Sequence, residues 1–456
     1  MQTDLRGLSL STDSAAAAAA FDATVQDFLE YRLSAADRLG ECLAADPEFA
    51  FGHCLKGYFF SLFFSNAVAG EIAGALAEAE RRAATASPRE QRHIAALKAW
   101  QAGALEQACA IWDDILIAHP TDLLALRLQH GIQFWSGQAQ AMRAAAAGVH
   151  EAWDPGLPGF GNVLGMYCFA LEECGDYAAA EPKGREAVAR NGDDLWAVHA
   201  VAHVLEMQER HAEGVEWLTR PLDHWEGRNP FKGHLWWHLA MYHCERREFD
   251  RVLELYDRAF YAVPSDVYSD IFNASSMLWR LEFQGVDVGP RWQALGEQAA
   301  KWIGNHVLGF NDVHNMMSLA GARRFDEAER LLAGLEANAA RRHNDQALLG
   351  GRVGVPLARA LLAFAKGDYE AAIESLRRLR PRIVEIGGSW AQRDVFNQFL
   401  IEAALRAERL DLARALLAER VQQRPRSASS RASHARVLER LGQSAAAARV
   451  RAAAPA

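Results

Sequence analysis

Two histidines one helical turn apart, with a carboxylate three residues further on, stand in the stretch WAVHAVAHVLE: His199, His203 and Glu206. Two imidazole nitrogens and one carboxylate oxygen match what a catalytic zinc needs while a position is kept for water. The zincin order H-E-x-x-H puts a glutamate between the histidines, whereas Ala200, Val201 and Ala202 fill that interval here. No metal or other cofactor is therefore expected; if zinc or iron were bound, His199, His203 and Glu206 would be its ligands. A second pair with the same spacing, His234 and His238, lies in HLWWHLA beside Trp237 and Tyr242. FNDVHNMM brings Asn311, Asp312 and His314, and GGSWAQRDVFNQ brings Arg393, Asp394, Asn397 and Gln398. A histidine next to a carboxylate exchanges a proton near neutral pH, and Arg393 with Asn311 or Asn397 could hold an anionic substrate or a developing oxyanion. No serine or cysteine stands in a nucleophile elbow, and Ser389 reads as a helix cap.

Helices must position these residues. Amphipathic segments alternate with short Gly, Asp or Arg turns throughout, and no alternating run bounded by Asn-Gly or Asp-Gly signals a strand. Aligned on the turns, the chain repeats. Gly175-Asp176-Tyr177 precedes Ala180 and Ala187, Gly367-Asp368-Tyr369 precedes Ala372, Gly103-Ala104-Leu105 precedes Ala108, and Arg323-Arg324-Phe325 precedes Ala328. Glu209 follows Gly175 by thirty-four residues and Arg247 follows Glu209 by thirty-eight. A turn, an aromatic or leucine, then a small residue resembles the tetratricopeptide helix-turn-helix unit, whose period is about thirty-four residues. The expected fold is all-α, a solenoid of about eleven or twelve such pairs curled into a compact superhelix. AWDPGLPGFG, at 152–161, is the candidate boundary, giving N-terminal repeats over 1–151, a core with a polar cavity over 152–424, and capping helices over 425–456.

In such a solenoid the first helix of each pair lines the concave face. Residues ten, six and three before the turn share one stripe of that helix. Counting back from Glu209 gives His199, His203 and Glu206; from Gly175, Gly165, Phe169 and Glu172; from Arg247, Trp237, Met241 and Cys244. The histidines and carboxylates thus face a groove in register. The plainer alternative is that they satisfy one another in a polar network between repeats, as buried polar groups must.

A net charge of −9 argues against nucleic acid as the partner, since phosphate binding relies on basic surface. The Arg-rich end, 420–451, reads as a solvated helix pair more readily than as an anion-binding tail. The six cysteines form no C-x-x-C pair and fit a reduced core, and no run of eighteen or more uncharged apolar residues signals a membrane span. A cytoplasmic location is the expectation, without a signal peptide.

The motifs GMYCFALEE, VHAVAHVLEM, HLWWHLA, SMLWRLEFQGVDVGPRW, FNDVHNMM and GGSWAQRDVFNQ, spread from about Gly165 to Ala404, together resemble the tetratricopeptide repeat protein 38 family. The resemblance implies an all-helical tetratricopeptide-like fold and places the residues named above within shared motifs; it implies no particular activity. The expected function is binding of a small polar or peptide-like ligand in a cavity lined by His, Glu, Asp and Arg. Glu172, Trp237, Tyr242, Asn311, Asn397 and Gln398 are the expected ligand contacts. The alternative is a hydrolase or lyase, acid-base or metal-assisted, using His199, His203, Glu206, His234, His238, Asp312, His314, Arg393 and Asp394. Oligomeric state is not encoded in any of these features.

Overall fold

The computed structural model describes residues 1–219, 225, 228 and 231–452. The last four residues of the expected C-terminal cap, 453–456, lie outside them. The chain is all-α, built of tetratricopeptide-type helix pairs. Among the described residues the strands are Gln2–Thr3 and Ser9–Leu10, paired antiparallel. At two residues each they are too short to leave an alternating pattern in the sequence.

Every turn aligned from the sequence carries a left-handed residue. Gly103 (φ 74°), Gly175 (81°), Glu209 (57°), Arg247 (62°), Arg323 (56°) and Gly367 (86°) occupy the same place in successive elbows. At Gly175 the amide donates to Glu172 O at 2.8 Å and the Asp176 amide to Leu171 O at 2.9 Å. This is the Schellman arrangement, which satisfies the carbonyls left open at a helix end. The Glu209 elbow repeats it, with Glu209 N to Glu206 O at 3.0 Å and Arg210 N to Leu205 O at 2.8 Å. The first helix of each pair therefore stops at a fixed phase, and the second returns against it.

Small residues set the crossing distance. A Cβ on Gly184, in helix Tyr177–Arg190, would stand 2.6 Å from both Cys168 Sγ and Val201 Cγ2. One on Gly214, in helix His211–Leu218, would stand 2.4 Å from the Tyr242 ring. The aromatic fits because the glycine leaves room.

By packing, the chain divides into two compact units. One comprises Met1–Val204, Pro221–Lys232 and Arg341–Leu348; the other comprises Leu205–Arg220, Gly233–Ala340 and Leu349–Ala456. One of these limits falls within the helix Leu195–Met207. In the first unit a buried knot ties four helices. Asp122 accepts from Arg89 Nη1 at 2.6 Å and His93 Nε2 at 3.1 Å, and caps its own helix through Ala125 N at 2.9 Å. Tyr58 donates to His93 O at 2.7 Å and accepts from Trp112 Nε1 at 3.2 Å. The arginine and histidine hold the Asp122 carboxyl well below the usual range against the cost of burial.

One helix, Asp345–Ala365, is long and apolar enough to cross a membrane by length and composition. Two-thirds of its most apolar window (67%) is buried inside the protein, which is also how a core helix behaves. All six cysteines are free thiols, in keeping with the reduced core expected from their spacing.

The elbow geometry makes Gly175 and Gly184 different kinds of glycine. No atom lies within 4 Å of a Cβ built on Gly175, so Gly175→Ala should cost only the left-handed penalty, about 1 kcal/mol. Gly184→Ala must displace neighbours and should cost more, about 1–3 kcal/mol. Urea midpoints of the two variants check the order; equal loss would contradict it.

Candidate binding site

In the first unit, helix Phe160–Glu173 sets Glu172 beside the histidines of helix Leu195–Met207. His203 and His199 share a hydrogen bond between their Nε2 atoms at 3.0 Å, so at least one imidazole is neutral. His203 Nδ1 lies 3.6 Å from Glu172 Oε2. All three side chains are buried. Phe169 closes over both rings, with centroids 5.4 Å from His199 and 5.1 Å from His203. The i,i+4 spacing read from the sequence thus brings His199 and His203 into one buried cluster with Glu172. Ligand atoms of Glu172, Glu173 and His203 lie within 4.8 Å of one another, close enough to hold a metal ion. Their donor set, two carboxylate oxygens and an imidazole, suits a divalent cation. Glu206, the third member of the expected metal set, is engaged elsewhere, by Arg424 Nη1 at 3.1 Å.

The second unit buries His234, His238 and His314. His234, on helix Phe231–Glu245, donates from Nδ1 to Asn273 Oδ1 at 2.8 Å and stacks on Trp237 at 5.2 Å; burial pushes its pKa down to about 4. His238 packs against His234 at 4.8 Å and is fully buried, and Tyr242 lies below it on Gly214. His314 donates from Nδ1 to Phe310 O at 2.8 Å, and burial takes it to about 3. Phe272 packs at 5.9 Å from both His234 and His314. Asp312 pairs with His306 Nδ1 at 3.0 Å, and burial raises its carboxyl. Asn311 is buried, with neither side-chain polar atom hydrogen-bonded.

A denser polar network lies where helices Tyr268–Phe283, Trp390–Arg406 and Leu410–Gln423 meet. Asp394 accepts from Arg420 Nη1 at 2.6 Å, Arg420 Nη2 at 3.0 Å and Gln398 Nε2 at 2.7 Å. Those guanidinium contacts hold its carboxyl well below the usual range. Glu206 and Arg424 form a second buried pair, and Arg424 is held above its ordinary value by Asp394 and Glu206. Arg420 and Arg424 are thus turned inward, unlike the solvated arginines expected of the C-terminal segment. Arg393, next in the chain, makes a different set of contacts. It lies over Trp390 at 5.2 Å and donates to Gly388 O, so it clasps its own Gly387-Gly388 turn. Asn397 is half-buried on the same helix.

Beside this network is a small pocket with a cavity volume of about 50 Å³, part of it open to solvent. Its walls are the first helices that precede the elbows at Arg247, Gly285, Glu408 and Gly442, with Leu410–Gln423 as the one returning helix. Met241, Cys244 and Glu245 come from Phe231–Glu245, and Gln398 and Glu402 from Trp390–Arg406. Arg280 and Arg420 reach it, as do Ser429, Ser430 and Ser433 from the first turns of helix Ala428–Arg440. Burial keeps the Cys244 thiol up at about 12, so it presents S–H and not a nucleophilic thiolate.

Among the residues expected to touch a ligand, Gln398 lines the pocket, while Asp394 anchors Arg420 in its wall. The register from Arg247 also indicated Met241 and Cys244 correctly as facing one stripe. The same count from Glu408 lands on Gln398 and Glu402. Arg280, Glu245 and the serines were missed. The signal for Arg280 was a lone cation inside the otherwise apolar run SMLWRLEF.

No family model matches the chain. It is similar to the human IFIT1 dimer with PPP-AAAA, at 14% identity and a TM-score of 0.41, over 88% of this chain and 89% of that one. It is also similar to the TPR domain of P58(IPK), at 12% identity and a TM-score of 0.23, over 80% of this chain and 92% of that one. The tetratricopeptide character of this chain is read from its own elbows and helix pairs.

The buried histidines make stability depend on pH. His130, in the first unit, is held at about 3 by burial, as His314 is, and His234 at about 4, all below the ordinary 6.5. The unfolded chain takes up protons below pH 6.5 that the folded one refuses, so stability is full above that value and falls as pH drops toward 4. The expected slope is about 1.4 kcal/mol per pH unit for each such histidine. Urea midpoints measured across pH 4–8 test this, and His130→Phe should flatten the profile; stability rising on acidification would contradict it.

Proposed function

We propose that the chain is a tetratricopeptide-like binding protein that holds a small polar or peptide-like ligand in the pocket of its second unit. The observation that carries this reading is that first-helix faces, the face such repeats use for binding, converge there on charged and amide side chains around an open space. Apolar walls from Met241, Phe283 and Leu417 surround a few polar anchors, the usual composition of a small-ligand site. The net charge of −9 favours a small ligand over nucleic acid. The resemblance of six of its motifs supports the further proposal that the chain is related to the tetratricopeptide repeat protein 38 family.

A thermal-shift screen of the purified chain with amino acids, short peptides and small organic acids should return binders. Ser433→Trp, which fills the pocket from a half-buried position, should abolish their effect while far-UV circular dichroism stays unchanged. Binders that are indifferent to Ser433→Trp would place the site elsewhere.

A second reading concerns the first unit, where the ligand atoms of Glu172, Glu173 and His203 stand close enough for one divalent cation. Such an ion would neutralise two buried carboxylates, whose proximity is otherwise costly. Elemental analysis of protein purified without chelator should find about one equivalent, lost in Glu172→Gln. Metal-free protein from such a preparation would end this reading.

A further inference from the structure

Arg280 is the side chain that constrains what the pocket can hold. It is 2% exposed and lies over Trp237, with its guanidinium 5.6 Å from the ring centroid. Nη1 donates to Ser276 O at 3.1 Å and Nη2 to Ala391 O at 2.7 Å. Its Nε is buried without a hydrogen-bond partner, and among the described residues it forms no ion pair. The two other arginines of the network differ. Arg420 spends two donors on Asp394 and its Nε on Ser430 Oγ at 3.2 Å, and Arg424 is paired with Glu206. Asp394 and Glu206 act on Arg280 through space, but each is paired with another arginine, so an anion from outside would offset the remaining cost of its burial.

The same pocket receives the N-terminal turn of helix Ala428–Arg440. Ser427 caps it by accepting from Ser430 N at 3.3 Å, while Ser429 and Ser430 line the pocket. Open backbone amides and hydroxyls at a helix start favour negative charge, so the helix and Arg280 call for the same kind of group.

Two carboxylates in the lining oppose a bare anion. Glu245 accepts from Ser427 Oγ at 3.0 Å, and Glu402 lies 3.6 Å from Arg406 with its carboxyl raised by burial. A ligand that satisfies the whole lining must carry negative charge toward Arg280 and N–H donors toward Glu245 and Glu402.

We propose that the pocket binds a zwitterion, an amino acid or short peptide, with its carboxylate on Arg280 and the start of helix Ala428–Arg440 and its ammonium toward Glu245. This rests on the binding reading above and narrows it to one ligand class. Carboxylate and ammonium are recognised together, so neither a simple organic acid nor a simple amine fills the site.

Isothermal titration of the full chain with the standard amino acids and their glycyl dipeptides tests this. The best binder is then compared with its C-terminal amide and its N-acetyl form. Each modification should weaken binding about tenfold or more, because one removes the charge that faces buried Arg280 and the other the charge that faces half-buried Glu245. Arg280→Lys should lose the preference for the acid over the amide, and Glu245→Gln the preference for the free over the N-acetylated amine. Both readouts are ratios and survive a general loss of affinity. An amide that binds as well as the acid in the wild-type chain overturns the zwitterion while leaving the binding reading intact. If neither these compounds nor the wider thermal-shift screen yields a binder, both readings fall.

Discussion

The left-handed residue at each elbow is the constraint on which the rest of the molecule depends. It ends the first helix at a fixed phase, so positions three, six and ten residues earlier fall on one face in every repeat. Where the position is glycine the conformation is nearly free; at Glu209, Arg247, Arg323 and Glu408 a side chain accepts it at a cost of about 1 kcal/mol. The chain bears that cost because the Schellman hydrogen bonds and the packing of the returning helix over-determine the turn. At Glu209 the side chain is also used, since its carboxylate accepts from Arg426 N at 2.7 Å. The elbow there fixes a helix end and tethers a distant segment at once.

That register explains why so much of the polar chemistry is buried. Stripes that face inward carry imidazole, carboxylate and guanidinium groups where an apolar solenoid would carry leucine. Two of the buried histidines meet this by staying neutral and spending an N–H on an oxygen, His234 on the Asn273 amide and His314 on the Phe310 carbonyl. The carboxylates meet it by pairing, Asp394 with Arg420 and Glu206 with Arg424. Neutral bases and paired ions are the two ways a polar stripe survives desolvation. Arg280 uses neither in full.

How much of this could be read beforehand follows from how far each signal reaches along the chain. The elbows are local, a few residues of turn chemistry followed by an aromatic and an alanine, and all six that align in the sequence are left-handed in the structure. The stripe positions follow from them by helical geometry, which is how Met241, Cys244 and the buried His199/His203 pair were legible. The ion pairs are not local. Arg424 meets Glu206 across more than two hundred residues, and Arg420 meets Asp394 across a helix pair. No spacing encodes such contacts, so these arginines looked like part of a solvated basic tail. Arg393 illustrates a different limit of spacing. It sits beside Asp394 in the sequence, but successive helical residues point about 100° apart, and it turned to its own glycine turn.

Arg280 shows why a residue can be conspicuous in sequence and still be assigned no role. A cation within SMLWRLEF breaks an apolar helix, and by itself that marks a buried charge without naming its partner. The structure supplies two backbone carbonyls and an aromatic face, which orient the guanidinium, and only carboxylates already paired with other arginines, Asp394 and Glu206, to act on its charge. Burial pulls its pKa down to about 10, the direction expected when solvation is lost faster than counter-charge is gained. A hydrophobic side chain of similar volume would pack this helix at lower desolvation cost. An arginine here makes physical sense if the missing charge arrives from outside, and the pocket it lines is the place where such a charge can enter.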